Sequence, residues 1–143
     1  MDSYRQKIDM ITSSKFHEGE YGSEVNIENI LSGLKRVSFP EGYLKFLEEF
    51  GFGELDASFW IEEQPLYWNE IFPAERAHLE GMYIFATDQG EYCYAFDSNN
   101  NNVVVEIAAD GVVEELNLGS FVEFINVKLN ELVEIVNWRD ENL

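Results

Sequence analysis

At 143 residues, with 45% hydrophobic and 15% aromatic content, the chain has enough apolar material for one folded core and too much for a disordered segment. Its formal net charge of −19 disfavours contact with nucleic-acid phosphates. No apolar run approaches the roughly 20 residues that span a bilayer, and the start, MDSYRQKIDM, lacks the basic-then-apolar order of a secretory signal. The expectation is a cytoplasmic protein with neither nucleic acid nor membrane as partner. Cys93 is the one cysteine, which excludes an intramolecular disulfide and a cysteine-based metal cluster.

The charge is concentrated. Residues 1–45 carry 7 acids and 6 bases, residues 46–127 carry 17 acids against Arg76 alone, and residues 128–143 carry 4 acids and 2 bases. Nearly all the negative field therefore comes from the middle and following part of the chain. Such a field attracts a basic protein and raises its association rate, an effect that salt weakens.

In chain order, Tyr4, Ile8 and Ile11 predict a first short helix, and residues 13–22 read as a loop rich in Ser, Gly and charge. Ser23 suits the N-cap of a second helix with Ile27, Ile30, Leu31 and Leu34 on its apolar face. The next helix is written most clearly. Ser38 and Glu41 have capping-box spacing, Pro40 fits the first turn, and Tyr43, Leu44, Phe46, Leu47 and Phe50 form the core-facing stripe. Gly51 and Gly53 end it.

Beyond residue 54 the period changes. Phe59 and Ile61 alternate with Trp60 in a short strand, Pro65 interrupts, and 66–72 is either an edge strand or a helical turn. Residues 73–80 are a polar connection. Three strands follow at 82–88, 91–97 and 103–108, the first two joined by Gln89-Gly90 and the last two by 98–102. Asp110-Gly111 is a strong hairpin cue before a strand at 112–117. A long closing helix has capping-box spacing at Ser120 and Glu123 and an apolar stripe of Phe121, Phe124, Ile125, Leu129, Leu132 and Val136. This order predicts an α+β fold: an antiparallel meander sheet with N-terminal helices and a long C-terminal helix packed on one face. One domain spans 1–143, with 1–22 as N-terminal helix and loop and the core at 23–138.

Three segments bear on ordering and function at once, and they resemble the SUKH superfamily, which includes bacterial immunity proteins and fungal cell-wall synthesis regulators. FPEGYLKFLEEFGFG looks like that family's Leu-Pro-x-x-Tyr-x-x-Phe-Leu helix start, with Phe39 for the Leu and Pro40, Tyr43, Phe46 and Leu47 keeping the pattern. GEYCYAFDSNNNNVVVEI is similar to its strand ending in Asp, polar turn and Val strand, and SFVEFI to its final Ser-Phe-x-x-Phe helix. Gly51-Phe52-Gly53 stands where the family has Asn-Gly-Gly. The resemblance covers most of 24–136. It implies the same α+β fold and a non-enzymatic role, either immunity against a toxin's catalytic domain or regulation of cell-wall and glucan synthesis as an adaptor.

The residues themselves point away from catalysis. His17 and His78 lie in polar connections with no motif around them, and Cys93, between Tyr92 and Tyr94 in a strand, reads as a buried, inert thiol. The adjacent acids Glu48–Glu49, Glu62–Glu63 and Glu114–Glu115 are expected by chance among 28 acids. Asp97, Asn99 and Asn101 match the first positions of a calcium loop, but Asn102 and Ala108 break it, so the segment reads as a turn. No catalytic residue, cofactor or metal is expected. Binding is what remains. Trp60, Tyr67 and Trp68 among Glu54, Asp56, Glu62, Glu63 and Glu70 combine aromatic anchors with acids that would pair with Arg or Lys of a basic partner such as a nuclease toxin domain.

Overall fold

A computed structural model of the chain describes residues 2–23, 38–88 and 92–143. Within them the chain forms helix α1 (Asp2–Thr12), strand β1 (Tyr21–Ser23), helix α2 (Glu41–Phe50), and strands β2 (Phe52–Asp56) and β3 (Phe59–Tyr67). Two 3-10 turns (Trp68–Glu70 and Ala74–Leu79) lead to β4 (Met82–Thr87), β5 (Tyr92–Asp97), β6 (Val103–Ala108), β7 (Val113–Glu115) and helix α3 (Phe121–Asn142). The strands lie in one antiparallel sheet in chain order, β1 to β7. This is the expected α+β meander, with more strands than the sequence announced. The expected second helix and the Gln89-Gly90 hairpin lie outside the described residues.

Each helix forms where its apolar period predicts and buries that stripe. Tyr4, Ile8 and Ile11 of α1, Tyr43, Phe46, Leu47 and Phe50 of α2, and Phe121, Phe124, Ile125, Leu129, Leu132 and Val136 of α3 all enter one cluster on a single face of the sheet. Aromatic rings dominate it. Phe85 of β4 stacks on Phe96 of β5 at 4.4 Å, and Tyr43 meets Phe96 at 5.0 Å and Phe121 at 5.3 Å. Each such pair adds about 0.5–1.5 kcal/mol beyond the burial of its area.

The other face is covered too. Trp68, Phe72 and Leu79, from the two 3-10 turns and the link between them, pack with Met82, Ile84, Ala95, Val105 and Ile107 of the sheet. His78 Nε2 donates to the Gly111 carbonyl at 2.7 Å, tying this cover to the β6–β7 turn.

Several local expectations need correction. The Ser38–Glu41 capping box is not made: α2 begins after Pro40, which carries no side-chain cap, and the Ser38 carbonyl instead accepts from Asn102 Nδ2 at 2.6 Å. The loop at 13–22 gives way to β1, and residues 52–56 form β2. Gly53, at φ 124°, lets these two approach, since a Cβ there would collide with the Glu20 carbonyl oxygen. Pro65 does not interrupt β3, which absorbs it within a register shift between Ile61 and Leu66. The strand expected at 112–117 pairs only over Val113–Glu115.

Ser120 does cap α3, its Oγ accepting from the Glu123 N–H at 3.3 Å. The turn after β5 places Asn101 and Asn102 at φ 55° and 58°, and the Asp97 Oδ1 accepts from the Asn99 N–H at 3.0 Å. Asn and Asp suit that left-handed, side-chain-bonded turn.

Candidate protein-binding surfaces

The eight residues singled out between Glu54 and Glu70 do not share one surface. Asp56 is buried, 3% exposed, and faces inward. It accepts a bidentate pair of bonds from Arg139 of α3 at 3.1 and 2.9 Å and from the Ser58 hydroxyl at 2.5 Å. Burial works to raise its carboxyl, but the bonds from Arg139 and Ser58 outweigh it and hold the group below the usual carboxylate range. Asp56 is therefore a clamp between α3 and the β2–β3 turn, not a partner contact. Trp68 is likewise interior, a member of the far-face cluster. Both expectations fail for one reason: residue type does not reveal which long-range neighbour covers it.

The remaining six divide. Glu54 is half-buried on β2, its carbonyl accepting from His17 Nε2 at 3.0 Å. Tyr67 packs on Tyr83 at 4.8 Å, its hydroxyl accepts from the Gly81 N–H, and its own N–H donates to Glu70 Oε2 at 2.6 Å. Glu63 and Glu70 are exposed. Trp60 and Glu62 do come together. Trp60 pairs in register with Thr87, Thr87 with Cys93, and Cys93 with Ile107, and facing residues in an antiparallel sheet share a side. That side is the one away from the helices, since Ile107 belongs to the far-face cluster. Burial pushes the Glu62 carboxyl up, partly offset by a hydrogen bond from Trp60.

Cys93 is half-buried in the same row, on the face opposite Tyr94 as alternation predicts. Burial, then the charges of Asp88 and Glu62, push its thiol up to about 11. At neutral pH it is a protonated, weakly nucleophilic thiol. Both histidines spend Nε2 on backbone carbonyls. Their geometry is that of structural residues.

The surface that sequence reasoning missed is on α3. Val127, Ile135 and Trp138 are 40%, 43% and 59% exposed, and none belongs to the core-facing stripe. A recess of about 180 Å³ opens between α3 and the sheet, lined by Leu116, Leu118, Phe124, Val127 and the charged Glu106, Lys128 and Glu131, with Tyr94 at its floor. Lys128 lies over the Phe59 and Tyr94 rings at 5.4 and 5.0 Å and pairs with Glu131 at 3.2 Å. Burial acts to lower its ammonium, but Tyr94 and Glu131 outweigh that and raise it, so it is firmly charged. Burial, then the facing Glu114, push the Glu106 carboxyl up. Further along α3 a shallower depression of about 360 Å³ lies among Glu134, Ile135, Trp138 and Arg139. The signal was present in the sequence: Ile135 and Trp138 fall off the helix stripe, and large apolar residues off a stripe need another reason.

Among the described residues, no helix is long and apolar enough to cross a membrane. Comparison with protein-family models, with curated proteins and with solved structures gave no match to this chain.

Proposed function

We propose that the chain is a non-enzymatic protein-binding module of the immunity type, which binds a basic, nuclease-like toxin domain and blocks its substrate surface. The observation that carries the reading is the charge distribution, 17 acids against Arg76 over residues 46–127. A nuclease must attract phosphate, so its substrate surface is positive, and an acidic protein presents the same sign of field as that substrate. The resemblance of the helix, strand and closing-helix segments to the SUKH superfamily supports the same reading. Those segments supply Tyr43, Phe46, Phe96, Phe121 and Phe124 to one core, as a shared fold would require.

Capture from the native host's lysate, with washes at low and then high salt, tests this. The expected result is one basic protein retained in stoichiometric amount and released by salt, whose nuclease activity the chain inhibits when added back. Retention of several unrelated wall-synthesis proteins, with no inhibited nuclease among them, would replace the proposal with the adaptor role. Reversal of Glu62, Glu63 and Glu70 to Lys should slow association at low salt and leave the core intact, because Glu63 is exposed and the carboxylates of Glu62 and Glu70 make only local bonds, to Trp60 and to the Tyr67 N–H.

A further inference from the structure

Of the apolar side chains exposed on α3, Val127, Ile135 and Trp138 fall on one side, apart from Val122 near the start of the helix. Val127, Glu131, Glu134 and Trp138 form one row at three- and four-residue steps, and Lys128, Glu131, Ile135 and Trp138 form a second beside it, which places them along one side of the helix. From Val127 to Trp138 that side runs about 17 Å at 1.5 Å per residue. It is a flank, distinct from the stripe of Ile125, Leu129, Leu132 and Val136 that enters the core. The recess beside Leu116 and Leu118 opens at its start and the depression beside Trp138 at its end, so the two are parts of one surface.

We propose that this flank is the docking surface for a basic amphipathic segment of a partner protein, one with apolar side chains at helical spacing flanked by Lys or Arg. Charge selects that occupant. Glu106 and Glu134 line the two depressions beside Glu131, which is paired with Lys128 at 3.2 Å, while Arg139 is committed to Asp56 at 2.9 Å, so the acids left over outnumber the bases. A second copy of the chain would bring another net −19 against this one, and an anionic lipid surface would be repelled in the same way. A basic segment is drawn in. Its apolar side chains would cover Val127, Ile135 and Trp138, and its cations would meet the rim carboxylates. An exposed tryptophan beside a depression, ringed by polar groups, is the kind of side chain that dominates interface energy. The division of labour with the acids of β3 and the 3-10 turns follows: those steer approach, and the flank holds the contact. This inference rests on the protein-binding reading but not on the partner being a toxin.

The test uses the full chain, labelled with 15N, and two synthetic peptides of about 18 residues, long enough to match the flank as a helix. One carries Leu at helical spacing with Lys between; the other has the same composition with Leu spread around the helix. The first peptide should shift the Trp138 indole N–H and the amides of 124–138, and the second should bind at least about tenfold more weakly. The paired change Ile135→Ser and Trp138→Ser should weaken the first peptide by roughly tenfold or more without lowering the melting temperature, since both side chains are exposed. Equal affinity of the two peptides, or shifts confined to residues 54–70, would show a diffuse electrostatic attraction and overturn the proposal. So would a wild-type dimer that the paired change converts to monomer, which would assign the flank to a second copy. A nuclease captured equally by the wild type and the variant would remove the flank and leave the inhibitory role standing. Peptide binding at the flank with no inhibited nuclease would do the reverse.

Discussion

The two faces of the sheet are built on different plans. Among the described residues, one is covered by three helices and filled with interlocking rings, Tyr43, Phe46, Phe85, Phe96, Phe121 and Phe124, all at most 2% exposed. The other is covered by two 3-10 turns and filled mostly with smaller side chains, Ala95, Val105, Ile84 and Ile107, under Trp68, Phe72 and Leu79. Helices hold their side chains in place through their own hydrogen bonds, so a void beneath them stays open. Short turns hold little by themselves and can settle onto the sheet. The difference teaches where stability is stored: the helix face should tolerate loss badly, and the turn-covered face should adapt.

Truncation on the ring face gives the largest expected effect. Phe96 is fully buried and contacts Phe39, Tyr43, Phe85 and Phe121. Phe96→Ala should cost about 3–5 kcal/mol in urea unfolding. A cost below that of a comparable change on the far face would break the contrast.

Arg139→Ala comes next and probes the one buried ion pair described on the helix side. It leaves the Asp56 carboxylate, 4% exposed as a side chain, without its cation, and should cost about 2–4 kcal/mol at pH 7. The effect has a pH signature. The folded protein holds Asp56 below its usual range, so it binds fewer protons there than the unfolded chain does. The stability this pair supplies is complete above the unfolded value of about 3.9 and is lost as pH falls through the folded value. The deficit of Arg139→Ala relative to wild type should therefore shrink when thermal melts are run from pH 6 down to pH 2. A constant deficit would mean that packing of the arginine stem, not its charge, holds α3 to the β2–β3 turn.

On the turn-covered face, Leu79→Ala should cost about 2 kcal/mol, at the low end for a buried leucine, because the surrounding turn can collapse into the space. Leu79 is 0% exposed, as deeply buried as Phe96. A cost equal to that of Phe96→Ala would show that the turns are as rigid as the helices.

The same contrast explains what could be read from the sequence. The stripes of α1, α2 and α3 were legible because a period of 3.6 repeats over ten or more residues, and all six stripe residues named for α3 are buried. The strands β4, β5 and β6 were legible from their β-branched and aromatic runs. β1 and β2 were not, because three- and five-residue strands beside Gly22, Gly51 and Gly53 carry no period to detect. The capping box failed because spacing permits a bond without requiring it, and Asn102 reached the Ser38 carbonyl from 64 residues away. The candidate site was read least well. Asp56 and Trp68 looked like surface residues until Arg139, 83 residues distant, and the far-face cluster covered them. Pairings at that separation leave no mark in local composition.

The smallest expected effect has the opposite sign. Tyr43 is wholly buried at the centre of the ring cluster, and burial, then the charge of Glu62, push its phenol far above the usual range. Among the described residues its hydroxyl has no hydrogen-bond partner. Leaving such a group unpaired costs about 1–3 kcal/mol. Tyr43→Phe removes that group and keeps the ring against Phe85, Phe96 and Phe121, so part of the cost should be recovered, about 1 kcal/mol after allowance for the small void left behind. A rise in the urea midpoint of the variant would confirm that the centre of the ring cluster is held by packing, with no polar bond at Tyr43. A fall would mean that the hydroxyl is bonded in solution, through an ordered water for example, and that the ring cluster has a polar anchor at its centre as well as the Asp56–Arg139 pair at its edge.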